Sequence, residues 1–302
     1  MRFPSLTAAA FVSLGLASVM ALANEVSPVS TGGWRLNLPL QQKVAFRGLA
    51  SFDDAGLGSS AFLYPAPDAG SMIAAVLTHG LLTDASRRKQ KEQLQTAADQ
   101  VLTPYRSLLD EMSYLNLWHR AFAAPGSSLP GIFGREIEQL ADGREETVLE
   151  SAPVYFMTQD QQALIIDALV VVTRPGEQPG SAYRNSIRVV SDVQNFGDKE
   201  AAMYWLENNG AHLQAESVRL LTQSLEIVWR EVNEGKSEDF PYRTVRYRQG
   251  GQERMERAQV IREQCNRLLL RTLRGNLMSV PIAARSGAGV AESCRATVAA
   301  AK

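Results

Sequence analysis

The run Ala163-Leu164-Ile165-Ile166-Asp167-Ala168-Leu169-Val170-Val171-Val172 constrains this chain more than any other feature. It is rich in β-branched residues and apolar at odd and even positions alike, so as a strand it has no face suited to water. Such a strand must lie within a sheet that other elements cover. Its neighbours supply that sheet: Pro153 to Met157 reads as one strand, Gln159 to Gln162 as a turn, and Ser186 to Val190 as a third strand beyond the connection from Arg174 to Gly180.

Three segments offer helical cover. Met72 to about Val101 is helical in pattern, with a solvated basic stretch at Arg87-Arg88-Lys89. Thr103 and Pro104 fit the cap and first position of another helix, which carries Leu108, Leu109, Met112 and Leu115 on one face. Val218, Leu221, Leu225, Val228 and Val232 then recur at alternating spacings of three and four in an acidic stretch, and Gly235 stands where a helix cap belongs. From Tyr242 to Pro281 alternation returns, with turns at Gly250-Gly251 and Gln264 to Asn266 and a bend at Gly275. The fold class expected is α+β: an antiparallel sheet covered by long amphipathic helices, followed by an acidic helix and a C-terminal β-meander.

The chain has 302 residues, enough to bury a core without a metal or a mesh of disulfides. Arg2, the apolar stretch from Leu6 to Val19 and Ala21-Leu22-Ala23 have the pattern of a secretory signal over residues 1–23. The run from Met72 to Leu82 is too short to span a bilayer as a helix, so no transmembrane anchor is expected in the mature chain. These features divide the sequence into a signal peptide at 1–23, a main α+β domain at 24–240, a meander at 241–285 that is an extension or a small domain, and a tail at 286–302. The expected location is periplasmic, with secretion as the alternative. In an oxidising compartment the two cysteines, Cys265 and Cys294, are expected to form a disulfide that tethers the tail.

Motifs for chemistry are few. There is no G-x-S-x-G elbow, no phosphate loop with its lysine, no H-x-x-x-H pair and no calcium-type acidic loop. No cofactor and no metal is implied. Two titratable positions stand out: His79, which interrupts an apolar run, and Asp167, which interrupts the water-averse strand. A salt bridge from Asp167 to Arg188 on the next strand is the simpler account of that aspartate.

The formal charge of −1 conceals a division. Residues 195–240 hold nine acids against four bases, whereas 241–281 hold nine arginines, no lysine and three glutamates. The arginines either pair with the acidic helix or present planar, multidentate donors to a partner. On the second account Arg243, Arg246, Tyr247, Arg248, Arg254 and Arg257 form the binding surface. The resulting expectation is a non-enzymatic periplasmic accessory protein that docks on an envelope protein or an anionic envelope polymer, and not on nucleic acid. An envelope hydrolase with a site assembled from distant residues is one alternative. A carrier of apolar small molecules, lined by Met72, Ile73, Leu77 and Val170 to Val172, is the other.

Overall fold

The computed structural model describes residues 34–37, 43–50, 85–124, 146–177, 181–197, 199–234, 240–264 and 266–282. All of them belong to one compact unit that spans 32–302. The expected signal peptide, His79, the tail and residues 72–84 of the expected helical run lie outside the described residues; the rest of that run is helical.

Among the described residues the sheet has nine strands: β1 (Trp34–Asn37), β2 (Ala45–Gly48), β3 (Thr147–Met157), β4 (Leu164–Thr173), β5 (Tyr183–Val190), β6 (Arg243–Gln249), β7 (Gln252–Gln264), β8 (Arg267–Thr272) and β9 (Leu277–Pro281). They lie in the order β1-β3-β4-β5-β9-β8-β7-β6, with β2 beside a second stretch of β3. The helices are α1 (Ala85–Ala98), which runs into a 3-10 helix at Asp99–Tyr105, then α2 (Arg106–Glu111), α3 (Tyr114–Phe122) and the long α4 (Ala201–Glu234). The fold is therefore a mixed α+β arrangement with one long helix.

The strand that tolerates no water occupies the interior of the sheet. β4 pairs antiparallel with β3 and with β5, and every residue from Leu164 to Val172 is buried. Its even-numbered residues join Trp118, Leu213, Leu220 and Leu221 in a core between sheet and helices. On the other face Ile165 joins Val190, Val245, Tyr247, Leu268, Leu270 and Val280 in a second core. One strand thus has two separate apolar environments, because successive side chains alternate across it.

The sheet is mixed, not purely antiparallel. β1 and β2 each run parallel to β3, and β9 runs parallel to β5. A parallel neighbour requires a long return connection, and α4 with the meander supplies it between β5 and β9. β3 begins at Thr147, six positions before Pro153, so a proline sits in mid-strand. It is accommodated because β1 ends at the partner of Glu150 and β2 starts at the partner of Val154. Among the described residues no strand pairs with the outer edge of β3 between them, where Tyr114 donates its hydroxyl to Pro153 O at 2.7 Å and accepts from Ala45 N at 3.2 Å.

The meander is strongly coiled. A bulge between Val260 and Arg262 interrupts the β7–β8 register, and Tyr247 of β6 bridges to Ile282 just beyond β9. The last strand in the order therefore returns to the end of β9, and the second core fills the curl. The tip of the β6–β7 hairpin is clamped to the β3–β4 turn: Gly251 N donates to Asp160 Oδ2 at 2.7 Å, while Thr158 Oγ1 and Gln162 N donate to Asp160 Oδ1. The same turn accepts Trp205 Nε1 at Gln161 O and the Tyr105 hydroxyl at Gln161 Oε1.

Two helices depart from continuous 3.6-residue patterns. Met112 and Ser113 are extended, which separates α2 from α3 and admits the Lys43↔Ser113 bridge. In α4, Glu207 is extended, and Asn208, Asn209 and Gly210 all have positive φ. The Asn-Asn-Gly sequence is the one that tolerates this conformation, and a Cβ on Gly210 would stand 2.1 Å from Leu108 Cδ2.

Gly48 sets the approach of β2 to the end of α1. Its N–H donates to Asp99 Oδ1 at 2.8 Å, its carbonyl accepts from Gln95 Nε2 at 2.9 Å, and a Cβ there would lie 1.9 Å from Ala98 O. Gly48→Ala is expected to destabilise the protein by about 2–3 kcal/mol in urea unfolding, because backbone cannot yield as a side chain can. Gly176→Ala, where φ is +76° but nothing lies within 4 Å, should cost only about 1 kcal/mol.

Candidate functional site

The arginines of the meander fall into groups set by strand position. Those nearest α4 are engaged. Arg271 Nη2 donates to both carboxylate oxygens of Glu231 at 3.0 and 3.2 Å, and Arg262 lies 3.3 Å from Glu234. Arg267 is the hub: it bonds Asp192 at 2.7 Å, the carbonyls of Val190 and Ser279, and the Ser279 hydroxyl, which also accepts from Gln223 of α4. Burial lowers the Arg267 pKa, an effect that the adjacent Asp192 opposes. Arg271 and Glu231 thus join the basic and acidic halves of the sequence at a largely buried position, where such a pair is worth more than on an open surface, while Glu234 and Asp192 stand in solvent.

On the outer hairpin the picture changes. Arg243, Arg246 and Arg257 are exposed, and Arg248 and Arg254 are half-buried. Arg246 pairs with Glu253 at 3.0 Å, both side chains standing largely in solvent. Among the described residues no hydrogen bond or ion pair holds Arg243, Arg248 or Arg257. Tyr247 is 5 % exposed and packs into the second core, so its ring is not presented beside the arginines; burial raises its pKa. Strand alternation places Thr244, Arg246 and Arg248 on one face with Glu253, Met255 and Arg257, and Arg246 stands directly opposite Met255.

Asp167 of β4 is 3 % exposed and receives Nε and Nη2 of Arg188, its partner on β5, at 2.6 Å each. Burial alone would lower the Arg188 pKa, but the Asp167 carboxylate outweighs it and raises it. Arg188 is also felt by Tyr247 and by Glu256, whose own pKa burial raises. Asp167 is therefore a neutralised member of a fork-to-fork pair.

A third location is the break in α4. Glu207 accepts from Lys199 at 3.0 Å and lies 3.7 Å from His212 Nε2, while the His212 ring stacks on Tyr204 at 4.2 Å. The bond and charge of Lys199 lower the Glu207 pKa, with a smaller contribution from His212. Beside the break is an open groove of about 230 Å³, bordered by Glu111, Asn116, Arg120, Asn209 and Gln214, in which Arg120 donates to Gln214 at 2.8 Å. His119 is exposed on α3 and makes no part of this cluster. The break went unread in the sequence, although Asn208-Asn209-Gly210 is a recognisable signal for one.

Val170 and Val172, offered as one wall of an apolar cavity, are each 1 % exposed and lie within the filled first core. Met72, Ile73 and Leu77, the other wall, lie outside the described residues. Among the described residues no three His, Cys, Asp or Glu side chains group to hold a metal ion. The expected cross-link is corrected: Cys265 and Cys294 lie outside the described residues and show no disulfide-distance pairing, which a bond requires. No family model, curated protein or solved structure matches the chain.

Asp167→Asn keeps the shape but removes the charge that Arg188 needs. Because Arg188 retains 28 % exposure, the cost in denaturant unfolding should be about 2 kcal/mol, at the low end for a buried pair. Asp167→Leu combined with Arg188→Met should recover most of it. Glu256 behaves oppositely. Its folded-state pKa exceeds the ordinary 4.5, so its favourable contribution is complete below pH 4.5 and is lost as pH rises through the raised value. Glu256→Gln should therefore flatten that limb of the stability profile without lowering stability at pH 7, as thermal melts over a pH series would show.

Proposed function

We propose that this protein is a non-enzymatic accessory protein of the cell envelope that docks on an anionic partner through the outer hairpin, β6 with β7. The observation that carries this reading is the unequal use of arginine. Arg267 and Arg271, 12 % and 15 % exposed, are bonded to acidic side chains, whereas Arg243, Arg248 and Arg257 have no such bond and Arg246, like Arg262, pairs only with an exposed glutamate. Cementing the fold accounts for the first group and not for the second.

The hairpin is also well held for a docking element. Its tip is fixed at Asp160 and its inner face fills the second core, so ordering the surface demands little further conformational entropy on binding. An export signal over residues 1–23 and a periplasmic address belong to this reading. Among the described residues no helix is long and apolar enough to cross a membrane.

Converting Arg243, Arg246 and Arg248 together to glutamine should reduce recovery of a specific cross-linked partner from intact envelopes by about tenfold or more. The melting temperature should move by only about 2 °C or less, since these side chains make no stabilising contact beyond one exposed pair. Undiminished recovery would sink the proposal.

A further inference from the structure

Resting on this docking reading, we infer that the surface the outer hairpin engages is an anionic lipid bilayer. The arginines there do not stand alone. Met255 is 64 % exposed and lies directly across from Arg246, one alternate position from Arg257. At the open end of the hairpin Phe240 and Tyr242 are 38 % and 40 % exposed, and Gln259 Nε2 holds Phe240 O at 2.7 Å. Of the five large apolar side chains that are exposed among the described residues, Met255 lies on this hairpin and Phe240 and Tyr242 on the segment that leads into it.

That combination fits a headgroup layer. Aromatic and thioether tips suit the boundary between headgroups and acyl chains, where an apolar body and a polar edge are both accommodated. Arginines interleaved with them reach phosphate at the same depth, each basic group near an anionic leaflet strengthening partition by roughly fivefold. A folded acidic partner would be expected to find a pocket for an anchor residue. The hairpin face is the outside of a curled sheet, with its filled core on the other side. A bilayer needs no matching concavity.

Co-sedimentation of the full chain with vesicles tests the assignment. Binding should be stronger to phosphatidylglycerol mixed into phosphatidylcholine than to phosphatidylcholine alone, and should weaken with salt. Arg246→Gln, Arg248→Gln and Arg257→Gln together should lower the partition coefficient at least tenfold, and Met255→Ser with Tyr242→Ser should lower it severalfold. The apolar stretch from Leu6 to Val19 is common to every variant, so the comparison between variants isolates the hairpin. The same three arginines changed to lysine should retain binding within about threefold, because a bilayer reads charge whereas a carboxylate fork reads guanidinium geometry. Equal binding to both vesicle types, or no loss in the glutamine variant, overturns the lipid assignment. Collapse of vesicle binding in the lysine variant also overturns it. If arginine-dependent recovery of an envelope protein persists in any of those cases, the docking reading stands with an acidic protein as partner; if that recovery is also absent, both fall.

Discussion

A strand without a polar face dictates the rest of this structure. Because β4 is buried along both sides, the chain must build two covers for it, and it builds them from different materials. Helices α3 and α4 cover one side; the curled meander covers part of the other through Val245, Tyr247, Leu268 and Leu270. The parallel pairing of β9 with β5 follows from that arrangement, since the meander must return along the sheet to close over Ile165 and Val190. The single charge in the strand, Asp167, persists because Arg188 opposes it in register.

The near-neutral total charge is resolved by position in the fold. α4 presents Glu231 and Glu234 toward β7 and β8, and Asp192 follows β5, so the inner arginines find acidic partners, the Arg271–Glu231 pair largely buried and the other two acids exposed. Strand β6 and the first half of β7 extend past those acids, and identical side chains there meet water. Coiling thereby turns one basic segment into a seam and a free surface. The distinction matters energetically, since a largely buried pair such as Arg271 with Glu231 contributes to stability while an exposed one such as Arg246 with Glu253 contributes little.

Much of this was legible locally. Turn chemistry located the meander's corners, because Gly250 and Gly275 occupy backbone conformations that few other residues adopt. Alternation in the Arg243 to Arg248 segment revealed a strand, yet both of its faces carry residues fit for solvent or for an interface. Tyr247 could not be assigned inward from that pattern, because its burial depends on Ile282 and Ile165, distant in sequence. The α4 break was hidden for another reason: the apolar stripe from Val218 to Val232 is strong enough to draw attention away from three residues that reverse the backbone before it.

The sequence by itself determined that a two-faced apolar strand needed covering elements, that the meander followed the long helix, and that charge was divided between them. These are consequences of periodicity, turn residues and composition, all of which act over a few neighbours. Only the tertiary structure decided that β1, β2 and β9 pair in parallel, that the meander curls until β6 reaches the end of β9, and which arginines remain available. Those outcomes depend on contacts between residues tens of positions apart, such as Asp160 with Gly251 or Asp192 with Arg267, for which a linear sequence holds the ingredients but not the geometry.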